Sequence, residues 1–100
     1  QKLQPGSPAV LFGLGSYYLL APVVAGGDKA KALEYLNKAQ QADPLFADVY
    51  VRLAQFFRLK GDKDKYNFYM NKALEIDPAN ELAADTLSGR CKFICTGGQE

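Results

Sequence analysis

The fold of this chain is decided by two copies of one motif, GDKAKALEYLNKAQQADP at residues 27–44 and GDKDKYNFYMNKALEIDP at residues 61–78. The copies lie 34 residues apart and share a Gly-Asp-Lys start, a central Asn-Lys-Ala and a terminal Asp-Pro. Repetition at this period is typical of helical units that bury their apolar sides only by stacking on their neighbours. The pattern therefore predicts a stack of similar helix pairs, and it favours a binding surface over an active site.

Each copy of the motif carries the signals that begin and end a helix. Asp28 and Asp62 are placed to cap the free N–H groups of a first turn. Pro44 and Pro78 stop the helix, because proline has no amide to donate and disfavours helical geometry in the residue before it. Gly61 can take the left-handed conformation that closes a preceding helix. Each copy is therefore predicted to form one helix.

The segments around the motif are also predicted to be helical. Between the copies, one apolar stripe recurs at i, i+3, i+4 and i+7: Tyr50, Leu53, Ala54 and Phe57. Upstream we expect a shortened helix from about Pro8 to Ala21, followed by a loop through Gly27. Downstream we expect a final helix from Ala79 to Ile94. Short turns between these helices would force neighbouring helices to run antiparallel.

These residues resemble the tetratricopeptide repeat family. One complete repeat is matched by Tyr50, Leu53, Ala54, Phe57, Gly61, Asp62, Tyr66, Met70, Ala73 and Pro78, and a second helix one period earlier is matched by Ala32, Leu36, Ala39 and Pro44. The resemblance implies an all-α solenoid of antiparallel helix-turn-helix repeats, with about two and a half repeats and five helices in this chain. We expect a first repeat with a degenerate first helix at 8–44, a second repeat at 45–78, a capping helix at 79–95 and a frayed tail at 96–100.

Composition bears on several classes of function. Twelve basic and eleven acidic side chains give a net charge of +1, so no strong field would attract a nucleic acid or a membrane surface. The most apolar stretch, Ala9 to Ala25, is too short and too interrupted by glycine and proline to span a bilayer. The chain has no histidine and no spaced carboxylate pair at an apolar position. We therefore expect neither an enzyme nor a cofactor.

The two cysteines give no sign of a metal site. Cys91 and Cys95 stand four apart in the expected final helix, where their Cβ atoms would be roughly 5 to 6 Å apart. A disulfide needs about 3.5 to 4.5 Å, so a bridge is disfavoured while that helix stands. Without histidine, one copy of the chain cannot complete a four-ligand zinc site. Reduced core thiols are the favoured interpretation, and the redox state stays open.

The resemblance also implies where a partner would bind. In this family the first helices line a concave groove, and the positions carried over are Tyr17, Ala21, Val51, Arg52, Gln55, Arg58 and Asp85. By spacing, Arg52, Gln55 and Arg58 share one side of a helix, which could clasp an acidic or carboxylate-bearing peptide or could simply be solvated. The carboxylate clamp of chaperone-binding members needs Lys and Asn where Val51 and Gln55 stand. A C-terminal tail of that kind is therefore not expected.

The N-terminal helix is apolar on nearly every side, which is typical of a helix that is buried all round. We therefore predict that it packs against another copy of the chain, a partner or a further repeat. The residues expected to make that contact are Leu11, Phe12 and Tyr18.

Three functional hypotheses follow, and all of them are non-enzymatic. The leading one is a protein interaction module, of bacterial origin, that binds a peptide or protein in the groove or associates with itself. The second is an accessory subunit of a bacterial periplasmic solute-uptake system, because residues 17–28 are similar to exported tetratricopeptide proteins of such systems. The third is a structural homo-oligomer without a groove ligand. The compartment stays open between the cytoplasm, which we prefer, and the periplasm.

Overall fold

The computed structural model of the protein describes residues 6–88. Over that range it contains five α-helices and a single 3-10 turn at Val23–Ala25, and it has no β-strand. The helices are α1 Pro8–Leu20, α2 Lys29–Ala42, α3 Ala47–Leu59, α4 Lys63–Ile76 and α5 Glu81–Ser88. The predicted all-α architecture with five helices is confirmed. The end of the expected final helix, the expected tail and both Cys91 and Cys95 lie outside the described residues.

The helix ends follow from local side-chain chemistry. Asp28 Oδ1 accepts hydrogen bonds from the amides of Ala30 and Lys31, at 3.0 and 3.1 Å, and so caps α2. Asp62 Oδ1 accepts from the Lys65 amide at 3.1 Å and caps α4. Gly61 has a φ of 81°, in the left-handed region that glycine adopts without strain. The predicted caps and the predicted glycine turn are thus confirmed.

The helices pack as two antiparallel pairs, α1 with α2 and α3 with α4. In the first pair, the Asp28 amide donates to the Tyr18 carbonyl oxygen, while Gly15 meets Leu36 further from the turn. A Cβ at Gly15 would lie 2.8 Å from the Leu36 side chain and 3.2 Å from its amide nitrogen. The missing side chain of Gly15 therefore sets how closely α1 approaches α2.

The core lies around α3, which has neighbours on both sides. Eight of its 13 residues are buried, against three of 13 in α1. Small residues occupy the positions predicted for close helix crossings, since Ala39, Ala54 and Ala73 all have no exposed surface. The side chain of Ser88, the fourth small residue in the series, is outside the description.

Helix α1 corrects one expectation from the sequence. Leu11, Gly15 and Leu19 are buried, but Gly13 and Tyr17 are exposed, and Tyr17 keeps 50% of its surface accessible. The helix therefore packs along one side and is not buried all round. The opposite side, which carries Gly13 and Tyr17, is not covered by other parts of residues 6–88.

The connection from α1 to α2 is a compact turn with an exposed tip. The Gly27 amide donates to the Pro22 carbonyl oxygen at 2.9 Å, and the Tyr17 hydroxyl donates to the carbonyl oxygen of Ala25. A Cβ at Gly27 would come within 1.9 Å of the Ala21 carbonyl oxygen, so only glycine fits there. The turn thus brings Asp28 back to α1, where its amide donates to the Tyr18 carbonyl oxygen, and α2 begins at the next residue.

Candidate partner-binding surfaces

A chain of polar side chains joins α1 and α3, the first helices of the two pairs, to α5. Arg52 Nε donates to Ser16 Oγ at 3.1 Å, and Arg52 Nη1 donates to Gln55 Oε1 at 2.9 Å. Gln55 Nε2 donates in turn to Thr86 Oγ1 at 2.8 Å. We call Ser16, Arg52, Gln55 and Thr86 the polar relay. It connects α1, α3 and α5 through side chains that are largely removed from water.

Arg52 is held firmly in this relay. Burial lowers the pKa of its guanidinium group, and the negative charge of Asp48 acts in the opposite direction. The guanidinium carbon also lies 5.8 Å from the centre of the Phe12 ring, within the range of a cation–π contact. Asp48 has a partner of its own, because Asn80 Nδ2 donates to Asp48 Oδ1 at 2.6 Å. Arg52 is therefore a structural cation that already has two hydrogen-bond partners within the molecule.

An open cleft of about 540 Å³ lies beside the relay, between α1, α3 and the start of α5. Phe12 and Arg52 contribute to its wall. Four carboxylates also line it, from Asp48, Asp77, Glu81 and Asp85. We call this site the acidic cleft, because its carboxylates outnumber its single guanidinium, which is already hydrogen bonded.

A second cleft, of about 490 Å³, lies where α3 turns into α4. Its wall consists of Arg58, Gly61, Lys63, Tyr66 and Asn67, and we call it the turn cleft. Arg58 Nη1 donates to the Tyr66 hydroxyl at 3.3 Å, and the guanidinium carbon lies 5.1 Å from the centre of the Tyr66 ring. Two cations and two neutral polar side chains thus meet in one place.

A third surface is shallow and mostly apolar. It lies on the outer side of α1 and has a volume of about 440 Å³. We call it the α1 patch; its residues are Gly13, Ser16, Tyr17, Leu20, Ala21 and Pro22.

The structure separates the residues that the sequence placed in one groove. Val51 and Gln55 have no exposed surface, so the expectation that they face a ligand is wrong. Neighbouring helices cover both positions, and both ends of the Gln55 amide are hydrogen bonded within the relay. Arg52 and Arg58 also do not act together, because six residues correspond to about 1.7 helical turns and carry them to different sides of α3. Arg52 borders the acidic cleft and Arg58 the turn cleft.

The remaining candidates fall on two other surfaces. Tyr17 and Ala21 lie in the α1 patch, whereas Asp85 lines the acidic cleft. The residues proposed for self-association are engaged within the molecule. Leu11 is 8% exposed and belongs to the core, which corrects its assignment as a contact residue. Phe12 lies 5.1 Å from the Phe46 ring, centre to centre, and Tyr18 stacks on Tyr35.

Several residues of these sites had no signal in the helical pattern. The cleft carboxylates Asp77 and Glu81 lie at helix ends, where acidic residues commonly serve as caps or first-turn charges. Tyr66 and Asn67 could have been found by asking where the second copy of the motif departs from the first, whereas Lys63 repeats Lys29. That comparison would replace Ala32 by Tyr66 and Leu33 by Asn67.

Residues 6–88 show neither a metal site nor a membrane-spanning helix. This part of the chain holds no cluster of three or more acidic, cysteine or histidine side chains arranged to bind a metal ion. Among its helices, none combines the length and the apolar character needed to cross a bilayer.

The paired helices, the small residues at their crossings and the shared turns define an α-helical repeat protein. The comparison with known families agrees, because residues 47–80 match the family model described as tetratricopeptide repeat. This segment covers α3, α4 and the approach to α5, and it is a tetratricopeptide repeat. Over these residues the resemblance stated from the sequence is confirmed. Neither curated proteins nor solved structures gave a match to the chain.

Proposed function

We propose that this protein is an interaction module that holds a segment of a partner protein in the acidic cleft. Tetratricopeptide repeats are scaffolds for protein–protein contact, which sets the class of function. The observation that carries the proposal is the cleft of about 540 Å³ between α1, α3 and α5, beside helices that the polar relay holds together. A preformed surface of this kind binds a partner segment with little ordering of the module itself.

The charge of the cleft favours a cationic segment. Asp48, Asp77, Glu81 and Asp85 surround a guanidinium that already donates to Ser16 and Gln55. A Lys or Arg side chain would meet complementary charge there, and an apolar neighbour could rest against Phe12. An acidic peptide, which the spacing of the arginines suggested, would meet repulsion. The lining of the cleft thus supports a cationic partner segment and not an acidic one.

An array of short peptides tests this proposal. The peptides share one central leucine and differ only in whether Lys, Asp or Ser flanks it. The wild-type protein should retain the Lys peptides and release them as salt rises, because the attraction is screened. The Glu81→Lys variant should lose this retention. Its matched control is Glu75→Lys, which makes the same change of charge on the exposed side of α4.

Two results would overturn the proposal. One is equal retention of the Asp and Lys peptides by the wild-type protein. The other is retention of the Lys peptides by Glu81→Lys at the wild-type level. Circular dichroism of both variants shows whether they are folded, since a Lys in the first turn of α5 opposes the helix dipole by about 0.3 to 1 kcal/mol.

A second function, self-association, is supported by the register of the repeat. Five residues of the α1 patch, Gly13, Ser16, Tyr17, Leu20 and Ala21, stand 34 positions before Ala47, Tyr50, Val51, Ala54 and Gln55. Those five residues of α3 are between 0 and 7% exposed, because other helices of the chain cover them. The corresponding surface of the first repeat is less covered within residues 6–88, since Gly13 and Tyr17 are exposed and Ser16, Leu20 and Ala21 are half-buried. This difference leaves room for a further helix against α1.

We propose that a second copy of the chain covers the α1 patch, with α1 packed against α1 about a twofold axis. Two identical surfaces can meet in this way without burying charge, because the sequence has no charged residue between Leu3 and Gly27. Gly13 allows close approach, since nothing lies within 4 Å of the position its Cβ would take. Tyr17 supplies the exposed aromatic area that interfaces favour.

Sedimentation velocity over a range of concentrations tests the dimer. The wild-type protein should shift from monomer to dimer as concentration rises, and Tyr17→Glu should remain a monomer. The matched control is Phe68→Glu, at an exposed aromatic of α4 that is 60% accessible. A wild-type monomer at every concentration, or an equal loss of dimer in both variants, would contradict this interface.

The accessory-subunit hypothesis stays a prediction. It rests on the similarity of residues 17–28, which the structure places at the end of α1 and in the turn before α2. Fractionation of cells that express the full-length gene product tests it: recovery in the periplasm would favour it, and recovery with cytoplasmic proteins would exclude it.

A further inference from the structure

The two turns that connect the helices of each pair share a backbone motif but differ in the side chains around it. Gly27-Asp28-Lys29 precedes α2, and Gly61-Asp62-Lys63 precedes α4. Around the second turn, three apolar residues of the first are replaced by residues that donate hydrogen bonds: Val24 by Arg58, Ala32 by Tyr66 and Leu33 by Asn67. All three replacements line the turn cleft. These three changes therefore meet at one site.

The geometry of the turn cleft holds Arg58 in place before any ligand arrives. Its Nη1 donates to the Tyr66 hydroxyl oxygen at 3.3 Å, and its guanidinium lies over the Tyr66 ring. This bond uses the hydroxyl as an acceptor, so the hydroxyl proton stays available to a ligand. A guanidinium has five N–H donors, and the structure assigns one of them here. Arg58 therefore keeps most of its donors while losing little side-chain freedom on binding.

The two cations of the turn cleft, Arg58 and Lys63, form no ion pair with a carboxylate among the described residues. Among the described residues the ion pair present is Lys38 with Glu34, on α2, and neither Arg58 nor Lys63 has an acidic group within 4 Å. Asp62 lies next to the cleft, but its Oδ1 accepts from the Lys65 amide and caps α4. Asp64 and Asp62 border an adjoining shallow hollow, which shares Gly61 and Lys63 with the turn cleft. The lining of the turn cleft itself holds two cations and no acid.

We propose that the turn cleft binds a phosphate monoester carried on a partner protein. Arg58 and Lys63 provide the positive charge, and the Tyr66 hydroxyl and the Asn67 amide provide further donors for the phosphate oxygens. The cleft of about 490 Å³ is larger than a phosphate group, which fits a phosphorylated side chain better than the free ion. This inference is independent of the acidic cleft, because the two sites share no residue.

Nuclear magnetic resonance titration of the full chain tests the site. The probes are O-phosphoserine, inorganic phosphate and acetate, each compared with sodium chloride at the same ionic strength. O-phosphoserine should shift the amides of Gly61, Tyr66 and Asn67 in a saturable way, and acetate should bind more weakly because it carries less charge. Saturable binding of inorganic phosphate alone would support the oxyanion site but overturn the assignment to a phosphorylated side chain.

Charge variants at equivalent positions of the two turns provide the control. Arg58→Gln and Lys63→Gln should each weaken O-phosphoserine binding about tenfold or more, the order expected for loss of a charge-assisted hydrogen bond. Lys29→Gln removes the same charge from the first turn and should leave the affinity unchanged. Lys63 is exposed, so its variant keeps the fold even if Arg58→Gln does not. An equal loss in Lys29→Gln, or identical shifts with sodium chloride, would overturn the proposal.

Discussion

The two helix pairs have matching second helices, yet their first helices are buried to very different extents. Helix α1 reads PAVLFGLGSYYLL and carries no charge, but only three of its residues are buried. Helix α3 reads ADVYVRLAQFFRL, contains three charged side chains, and has eight residues buried. The more apolar helix is thus the less buried one. Position in the stack, and not hydrophobicity, decides how much of a first helix is covered.

Helix α3 tolerates its polar residues because their hydrogen bonds are made inside the molecule. Gln55 has no exposed surface, and both ends of its amide have partners, in Arg52 and Thr86. Within residues 6–88, no buried side-chain nitrogen or oxygen atom lacks a hydrogen bond. Helix α1 shows the opposite arrangement, since its uncharged side around Gly13 and Tyr17 is exposed within residues 6–88.

The largest expected effects test whether the two first helices contact their partner helices alike. Leu53 and Leu19 stand at equivalent positions and are 0 and 1% exposed. Truncation of either to Ala should cost about 2 to 5 kcal/mol of the free energy of unfolding, the usual range for buried leucine. Urea unfolding followed by circular dichroism measures both. A much smaller cost for Leu19→Ala would show that α1 is held less tightly than α3.

An intermediate effect is expected where the pairs differ most in polarity. Gln55 stands 34 positions after Ala21, the residue that follows α1. Gln55→Leu should cost about 1 to 3 kcal/mol, because it leaves the buried Thr86 hydroxyl without its donor and Nη1 of Arg52 without its acceptor. A double-mutant cycle with Thr86→Val isolates the bond between the two side chains. Simple additivity of the two changes would show that this bond contributes nothing of its own.

The smallest expected effect compares two glycines of α1. Gly13→Ala should stabilise the protein by about 0.5 to 1 kcal/mol, since glycine weakens a helix interior and the new methyl group meets nothing within 4 Å. Gly15→Ala should instead destabilise it, because the methyl group would lie 2.8 Å from the buried Leu36 side chain. Thermal unfolding at concentrations below association distinguishes them. Equal shifts of Tm in one direction would contradict the close approach of α1 to α2.

These comparisons show which parts of the molecule a sequence can reveal. Helices α2 and α4 were predictable, because an Asp cap and an Asp-Pro stop act within a few residues of each helix end. The burial of Val51 and Gln55 was not predictable, because residues far away in the chain cover them. The acidic cleft was equally hidden, since its lining comes from three helices. The turn cleft lay between these cases, because Arg58, Tyr66 and Asn67 depart from the repeat while Gly61 and Lys63 keep it.

The polar relay has a consequence for the cooperativity of the protein. The described part of α5 has eight residues, too few for an isolated helix to be stable in water. The hydrogen bond that Thr86 accepts from Gln55 connects α5 to α3, the most buried helix. The hydrogen bond from Arg52 to Ser16 connects α3 in turn to α1. In repeat proteins such contacts supply the nearest-neighbour coupling that makes units open together. The amides of α5 should therefore exchange with solvent in step with those of α3, and the chain should behave as a single cooperative unit.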